Sequence, residues 1–264
     1  MSKDLFSLDG KVAAISGCTR GIGRDMAIAL AEAGAGKDDF IYNDDCDICI
    51  RAVVDNIFVH DEIAALGRQC HIVFLDANDE SSIEKCIPSV LGKFNGKLDI
   101  LVNNAGIVKR KPAVDFSAED WNSVIQCNLN SVFALSQAAG KHMIAQRSGK
   151  IINTASLMSY QGGLNVASYA ASKGGVGTLT KALANEWAQF NVNVNAIAPG
   201  YIATDMTDAL RNDQTRNHDI LARIPAQRYG KPEDLKGPLI FLASQASNYV
   251  NGELLVVDGG WMGR

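Results

Sequence analysis

Long apolar runs are missing from this chain. No stretch reaches the roughly 18 consecutive apolar residues that a membrane-spanning helix needs, so a membrane-embedded protein is not expected. The opening MSKDLFSLDG is polar and lacks the apolar core of a signal peptide, which points to the cytoplasm. Basic blocks are missing too. The formal net charge is −4, and nucleic acid is not an expected partner. The six cysteines, Cys18, Cys46, Cys49, Cys70, Cys86 and Cys127, show no disulfide-framework spacing. Cys46 and Cys49 are spaced like half of a redox or zinc site, but no second pair or nearby histidine completes it. They read instead as small apolar residues in or beside a strand. His60, His71, His142 and His218 have no metal spacing, so no metal is expected. No repeat, low-complexity tract or linker divides the chain.

What is present is an alternation of strand-like and helix-like segments. Short apolar runs at 11–16, 71–78, 98–106, 149–156, 192–200 and 253–260 read as strands, near-continuous because both faces are covered. Helical periodicity marks 23–35, 81–94 (with a kink expected at Pro88), 119–146 and 168–190. The 203–235 stretch is polar, with helical pieces, and reads as a cover over the substrate. With 47% hydrophobic residues, 264 residues suffice for one core. The expectation is a single α/β domain over 1–264 with a Rossmann-type, doubly wound parallel sheet.

Three constellations carry chemistry. The first strand runs into Gly17-Cys-Thr-Arg20-Gly21-Ile22-Gly23 and then a helix. Glycines there let a pyrophosphate approach backbone N–H groups at a helix N-terminus, where the dipole favours negative charge. Tyr169-Ala-Ala-Ser-Lys173 puts a phenol and an ammonium on one helix face. A cation beside the phenol favours the phenolate and makes the tyrosine a usable acid/base near neutral pH. Lowering it by ~3 units takes about 4 kcal/mol of differential interaction, more than Lys173 alone supplies. The positive ring of an oxidised nicotinamide would add the rest. Ser156, at the end of KIINTAS, lies at the C-terminal edge of the sheet, where ligands bind in open α/β folds. Its hydroxyl and that of Tyr169 can donate to one carbonyl oxygen. Asn128 is a mediocre helix former in mid-helix, and NNAG (103–106) follows a strand end.

Together these motifs resemble the short-chain dehydrogenase/reductase family over roughly residues 6 to 264, with Ser16 where threonine is usual. APGYIATDM (198–206) and VNGELLVVDGG (250–260) match as well. The resemblance implies that Tyr169 is the general acid/base and that Lys173 lowers its pKa and binds the nicotinamide ribose. It implies that Ser156 orients the substrate carbonyl and that Asn128 helps hold a water linking Lys173 to a proton relay. It further implies that Asp76 and Ala77 contact the adenine, that Asn103, Ala105 and Gly106 line the adenosine ribose, and that Pro199, Gly200, Ile202 and Thr204 hold the nicotinamide. A homotetramer is implied, its long helices packing across one interface. The segments INTASLMSYQGG and NEWAQFNVNVNAIAPGYIATDMTDALR and the ending DGGWMGR resemble the subgroup of 2-deoxy-D-gluconate 3-dehydrogenase and related keto-deoxy-sugar-acid dehydrogenases. That implies reversible hydride transfer between NAD(P) and a secondary alcohol of a sugar acid or polyol. Gln161, Met206 and Trp261 are then candidate pocket residues, and Lys109, Arg110 and Arg264 candidate partners for a carboxylate. A 3-oxoacyl-thioester reductase, a non-catalytic dinucleotide-binding scaffold and a sugar-nucleotide epimerase stay open as alternatives.

One stretch bears on the choice of dinucleotide. FIYND ends in Asp44, about 20 residues past the glycines, where a ribose-binding acid belongs. ICIRAVV, carrying Arg51, is the better buried strand. In the resembling subgroup a strand beginning DI directly follows AGA and ALGR comes at a fixed distance. Here Asp47-Ile48 and ALGR (65–68) keep that distance. The expectation is therefore that ICIRAVV is the second strand and that 36–46 is an insertion. No acid then sits at the strand end, though Asp55 is near. Arg20, and less directly Arg51, could meet a 2′-phosphate. NADP is favoured over NAD, although the resembling subgroup tends toward NAD.

Overall fold

The computed structural model describes residues 5–35 and 58–264. Asp44, Arg51, Asp55, Cys46, Cys49, the choice between FIYND and ICIRAVV, and the 36–46 insertion lie outside them. The described residues form a five-stranded, wholly parallel sheet in the order β1 (Ala13–Ile15), β2 (Ile100–Asn103), β3 (Gly149–Thr154), β4 (Val192–Pro199) and β5 (Leu254–Val257). The register pairs Ile15 with Val102, Asn103 with Asn153, Thr154 with Ile197 and Pro199 with Val257. All five C-terminal strand ends therefore lie along one edge.

Alternation along each strand divides the core in two, because successive side chains point to opposite faces. Ile15, Val102, Ile152 and Ile197 pack against Met26 and Leu30 of α1 (Gly21–Glu32) and Leu239 and Leu242 of α9 (Lys236–Ala243). Ala14, Leu101, Ile151 and Val194 face the other way. They meet Ile87 and Val90 of α3 (Glu80–Lys93), Leu135 and Met143 of α5 (Ser131–Gln146) and Leu183 of α6 (Ala167–Trp187). Helices on both faces of a parallel sheet match the expected architecture.

Three local expectations change. The segment 71–78 carries one isolated bridge, at Phe74, and no ladder among the described residues, although Val73 and Leu75 are buried in the alternation of an extended chain. Helix α3 runs unbroken through Pro88. The proline sits on the exposed face, where the carbonyl it leaves unpaired reaches water. The 119–146 segment is not one regular helix. α4 (Ala118–Ile125) and α5 are joined by a π-helical turn, Gln126–Asn130, in which the Ser131 N–H bonds the Gln126 carbonyl. α2 (Phe58–Ala65), α7 (Asp208–Asn212) and α8 (Gln214–Arg223) complete the chain.

Helix α3 starts where Asp79 accepts from the N–H groups of Ser81 and Ser82. An N-cap of this kind is worth about 1 kcal/mol. Asp79→Ala is expected to lower the unfolding free energy by about that much in a urea titration. An unchanged midpoint would show that the cap contributes nothing.

Candidate active site

A cleft of about 640 Å³ opens along the C-terminal edge of the sheet. One wall is the glycine loop. Gly17 and Gly21 have φ of +68° and +55°, a region that favours glycine. A Cβ on Gly17 would lie 2.8 Å from Ala105 Cα. Ser16 anchors this contact, its hydroxyl accepting from the N–H groups of Asn104 (3.0 Å) and Ala105 (3.1 Å). The Asn104 amide donates back to the carbonyls of Ser16 and Gly17. Helix α1 begins at Gly21 with no side-chain cap and no acid in its first turn. Its first N–H groups are thus open to the cleft lined by Gly21, Ile22 and Gly23, as a pyrophosphate requires. The donor set fits a dinucleotide.

The catalytic candidates converge at the other end. Ser156 lies two residues past the end of β3 rather than in it. There it starts a short 3₁₀ turn, its Oγ accepting from Met158 N–H (3.2 Å) and its N–H donating to Ser159 Oγ (3.3 Å). Ser159 in turn donates to the Lys173 carbonyl (2.6 Å), tying that turn to α6. Ser156 and Tyr169 both line the cleft. Lys173 is buried, its Nζ 2.5 Å from the Thr154 carbonyl and 5.8 Å from the centre of the Tyr169 ring. Burial brings its ammonium down to about 8.

Burial pushes the Tyr169 hydroxyl above the usual tyrosine range, opposed by the Ser156 hydroxyl and the charge of Arg110. The Lys173 ammonium is turned to the Thr154 carbonyl.

Asn128 sits in the π-helical turn with its amide committed. Oδ1 accepts from Ile107 N–H (2.8 Å), and Nδ2 donates to the Ile107 carbonyl (2.9 Å) and Ser172 Oγ (3.2 Å). It binds the loop after β2 to the helix beside Lys173. π-turns of this kind recur at functional sites. Asp76, Ala77, Ala105, Gly106, Pro199, Gly200, Ile202, Thr204 and Met206 all line the cleft.

Other expected site residues lie elsewhere. Asn103 is in the core, its amide donating to Ser136 Oγ and Asn153 Oδ1 (2.9 Å each), and its neighbour Asn104 faces the cleft. Gln161 and Trp261 are outside the cleft lining. The Trp261 ring lies tilted at 53° with its centre 4.9 Å from that of Tyr201 and 4.1 Å from the Arg223 guanidinium, and donates its indole N–H to Gln161. The pair holds the 203–235 region down on the sheet. Of the three bases, Lys109 pairs with Asp120, and Arg264 donates to the Ala222 and Arg223 carbonyls at the end of α8. Arg110 alone of the three acts on Tyr169, and its guanidinium donates to the Met206 carbonyl (3.0 Å). Sequence reasoning passed over Asn104, Ser159 and Ser172. The doubled Asn in NNAG and the serine three residues after Tyr169 were the available signals.

The family profile for enoyl-(acyl carrier protein) reductase matches residues 17–262. The chain belongs to the short-chain dehydrogenase/reductase family. It is an oxidoreductase of CH–OH and C=O groups. It is 52% identical to 2-dehydro-3-deoxy-D-gluconate 5-dehydrogenase of Pseudoalteromonas atlantica over 98% of both chains. It is 49% identical to the Escherichia coli enzyme of the same name, again over 98% of both. Among solved structures, gluconate 5-dehydrogenase from Burkholderia cenocepacia in complex with NADP and tartrate superposes with a TM-score of 0.90. That structure is 37% identical, with 99% of this chain and 98% of that one covered. Among the described residues of this family member, no acidic, cysteine or histidine cluster could hold a metal, and no helix is long and apolar enough to cross a membrane.

Proposed function

We propose that this enzyme is an NADP-dependent dehydrogenase that interconverts a secondary alcohol and a ketone on a keto-deoxy sugar acid or related aldonic acid. The relatives named for such acids support the substrate class. The observation that carries it is Arg110, whose guanidinium reaches the carbonyl of the cleft-lining Met206 at 3.0 Å. A carboxylate a few carbons from the reacting carbon is what such a guanidinium would hold. A 3-oxoacyl thioester offers it no anion at that distance. A non-catalytic scaffold would not need Ser156, Tyr169 and Lys173 brought together.

When bound, a nicotinamide dinucleotide supplies or accepts the hydride and, oxidised, carries a positive ring. Tyr169 hands its proton to the carbonyl oxygen in reduction and takes it back in oxidation. Ser156 steadies the same oxygen. Lys173 holds ribose hydroxyls, and Asn128 keeps the Ile107 segment and the proton relay beside it. Gly17, Gly21, Ile22 and Gly23 receive the pyrophosphate. Asp76, Ala77, Ala105 and Gly106 wall the adenosine side, and Pro199, Gly200, Ile202 and Thr204 the nicotinamide. The 203–235 region covers the substrate, with Met206 in the pocket wall. Arg20 reads the 2′-phosphate that favours NADP. The working form is a cytoplasmic homotetramer, since Trp121 and Phe133 stand exposed on the 118–146 segment and would be covered by a neighbouring subunit.

Two measurements test this reading. A spectrophotometric screen of sugar acids, polyols and acyl thioesters with both dinucleotides is expected to favour the acids. Arg110→Met should raise KM for them by at least about tenfold, with a smaller effect on neutral polyols. Equal loss on both substrate classes would remove Arg110 as the carboxylate anchor. The second is the pH profile. Burial holds the free Tyr169 hydroxyl above its ordinary value, so the free enzyme should show no tyrosinate signal from it below pH 10. With oxidised dinucleotide bound, the rate of alcohol oxidation should rise with pH through one apparent pKa below that of free tyrosine. A flat profile while chemistry limits the rate would exclude Tyr169 as the base.

A further inference from the structure

Three consecutive residues reach across the cleft from the loop after β4. The Thr204 methyl lies 3.5 Å from where a Cβ on Gly21 would stand. Asp205 Oδ2 pairs with Arg20 Nη1 at 2.9 Å. The Met206 carbonyl accepts from Arg110 at 3.0 Å. Residues 204–206 thus strap the glycine loop to the loop after β2. Arg20 and Asp205 both line the cleft, and their side chains are 73% and 69% exposed. Little structure has to move for this guanidinium to change partners.

We propose that Asp205 sets the dinucleotide preference by competing with a ligand's 2′-phosphate for Arg20. This rests on the reading above that Arg20 meets that phosphate. The carboxylate offers the guanidinium the same charge-assisted hydrogen bonds that a phosphate oxygen would. An enzyme with Asp205 must break one pair to form the other. An adenosine ribose with free hydroxyls places no such demand, so NAD binding leaves the Arg20–Asp205 pair in place. Asp205 thereby narrows the gap between the two dinucleotides and makes the enzyme more tolerant of NAD than Arg20 alone would. An exposed pair shifts such an equilibrium by up to about fivefold and is screened by salt.

The test compares kcat/KM with NADP and with NAD for the parent, Asp205→Asn, Arg20→Gln and the double variant, at low and high salt. Asp205→Asn is expected to raise the NADP-over-NAD ratio by about three- to fivefold at low salt, and by much less near 1 M salt, where the Debye length falls to about 3 Å. Arg20→Gln is expected to lower the ratio by at least about tenfold, and adding Asp205→Asn to it should change nothing further. The proposal is overturned if Asp205→Asn shifts both dinucleotides alike, because Asp205 would then act only as part of the strap. It is also overturned if the gain persists without Arg20. Both outcomes leave Arg20 as the phosphate reader. If Arg20→Gln leaves the ratio unchanged, the reading of Arg20 itself fails and the proposal falls with it.

Discussion

Tyr169→Phe is expected to lower turnover by about 10³-fold or more in both directions while dinucleotide binding survives. The substitution removes one oxygen. The ring keeps its place on α6, and the neighbouring Ser156 stays tied to Met158 and Ser159. No neighbour is placed to take over the proton. The Ser156 hydroxyl is a far weaker acid than a phenol, and the Lys173 ammonium is directed to the Thr154 carbonyl. Lys173 is also badly placed for the task, with its Nζ bonded to the Thr154 carbonyl and 5.8 Å from the ring centre. Initial rates in both directions would be read beside a fluorescence titration with reduced dinucleotide. Activity within tenfold of the parent would remove Tyr169 as the proton carrier. Loss of binding together with turnover would show that the phenol holds the cleft rather than the proton.

That Ser156, Tyr169, Lys173 and the glycine loop share one cleft could be read before the fold was known because each belongs to a local pattern: a strand end, a four-residue helical spacing, a glycine run. What could not be read depended on contacts between distant residues. Asn103 and Asn104 are adjacent and chemically identical, yet the first is the last rung of β2 and turns into the core toward Asn153, and the second faces the cleft. Nothing local says which is which, because the answer depends on where the strand stops. Lys109, Arg110 and Lys111 form another such case. Asp120 takes both lysines and leaves Arg110 to the Met206 carbonyl. The resemblance of DGGWMGR to the sugar-acid subgroup put Trp261 among the candidate pocket residues. Its contacts with Gln161, Tyr201 and Arg223 make it a clamp instead. The π-helical turn carries a contact that a sequence does not display, between the Asn128 amide and both backbone polar groups of Ile107.

The family profile is described by a reduction of a carbon–carbon double bond, whereas the relatives at 52% and 49% identity are named for oxidation at an alcohol carbon. A fold serves many chemistries, and the site decides among them. Here the glycine loop and the Ser156, Tyr169 and Lys173 side chains form distinct parts of one cleft lining.

Gly23→Val is expected to abolish dinucleotide binding, and turnover with it, while Ser156, Tyr169 and Lys173 stay in place. Gly23 has ordinary backbone angles, so its need is for space. A Cβ there would fall inside contact distance of the Gly17 carbonyl oxygen and the Asn104 amide nitrogen. Neither can yield freely. Asn104 Nδ2 is bonded to the carbonyls of Ser16 and Gly17, and Gly17 is pressed against Ala105. The loop must open, and the N–H groups at the start of α1 then lose their aim at the pyrophosphate. Overpacking of this kind costs about 1–3 kcal/mol of stability, so a folded protein with a lowered melting temperature should be recovered. Fluorescence titration with reduced dinucleotide should show affinity reduced at least about a hundredfold, and circular dichroism should show the helices intact. Binding close to that of the parent would mean that the glycine loop does not hold the pyrophosphate. Tyr169→Phe binds without turning over, and Gly23→Val cannot bind, so the two variants divide the cleft into the part that holds the dinucleotide and the part that moves the proton.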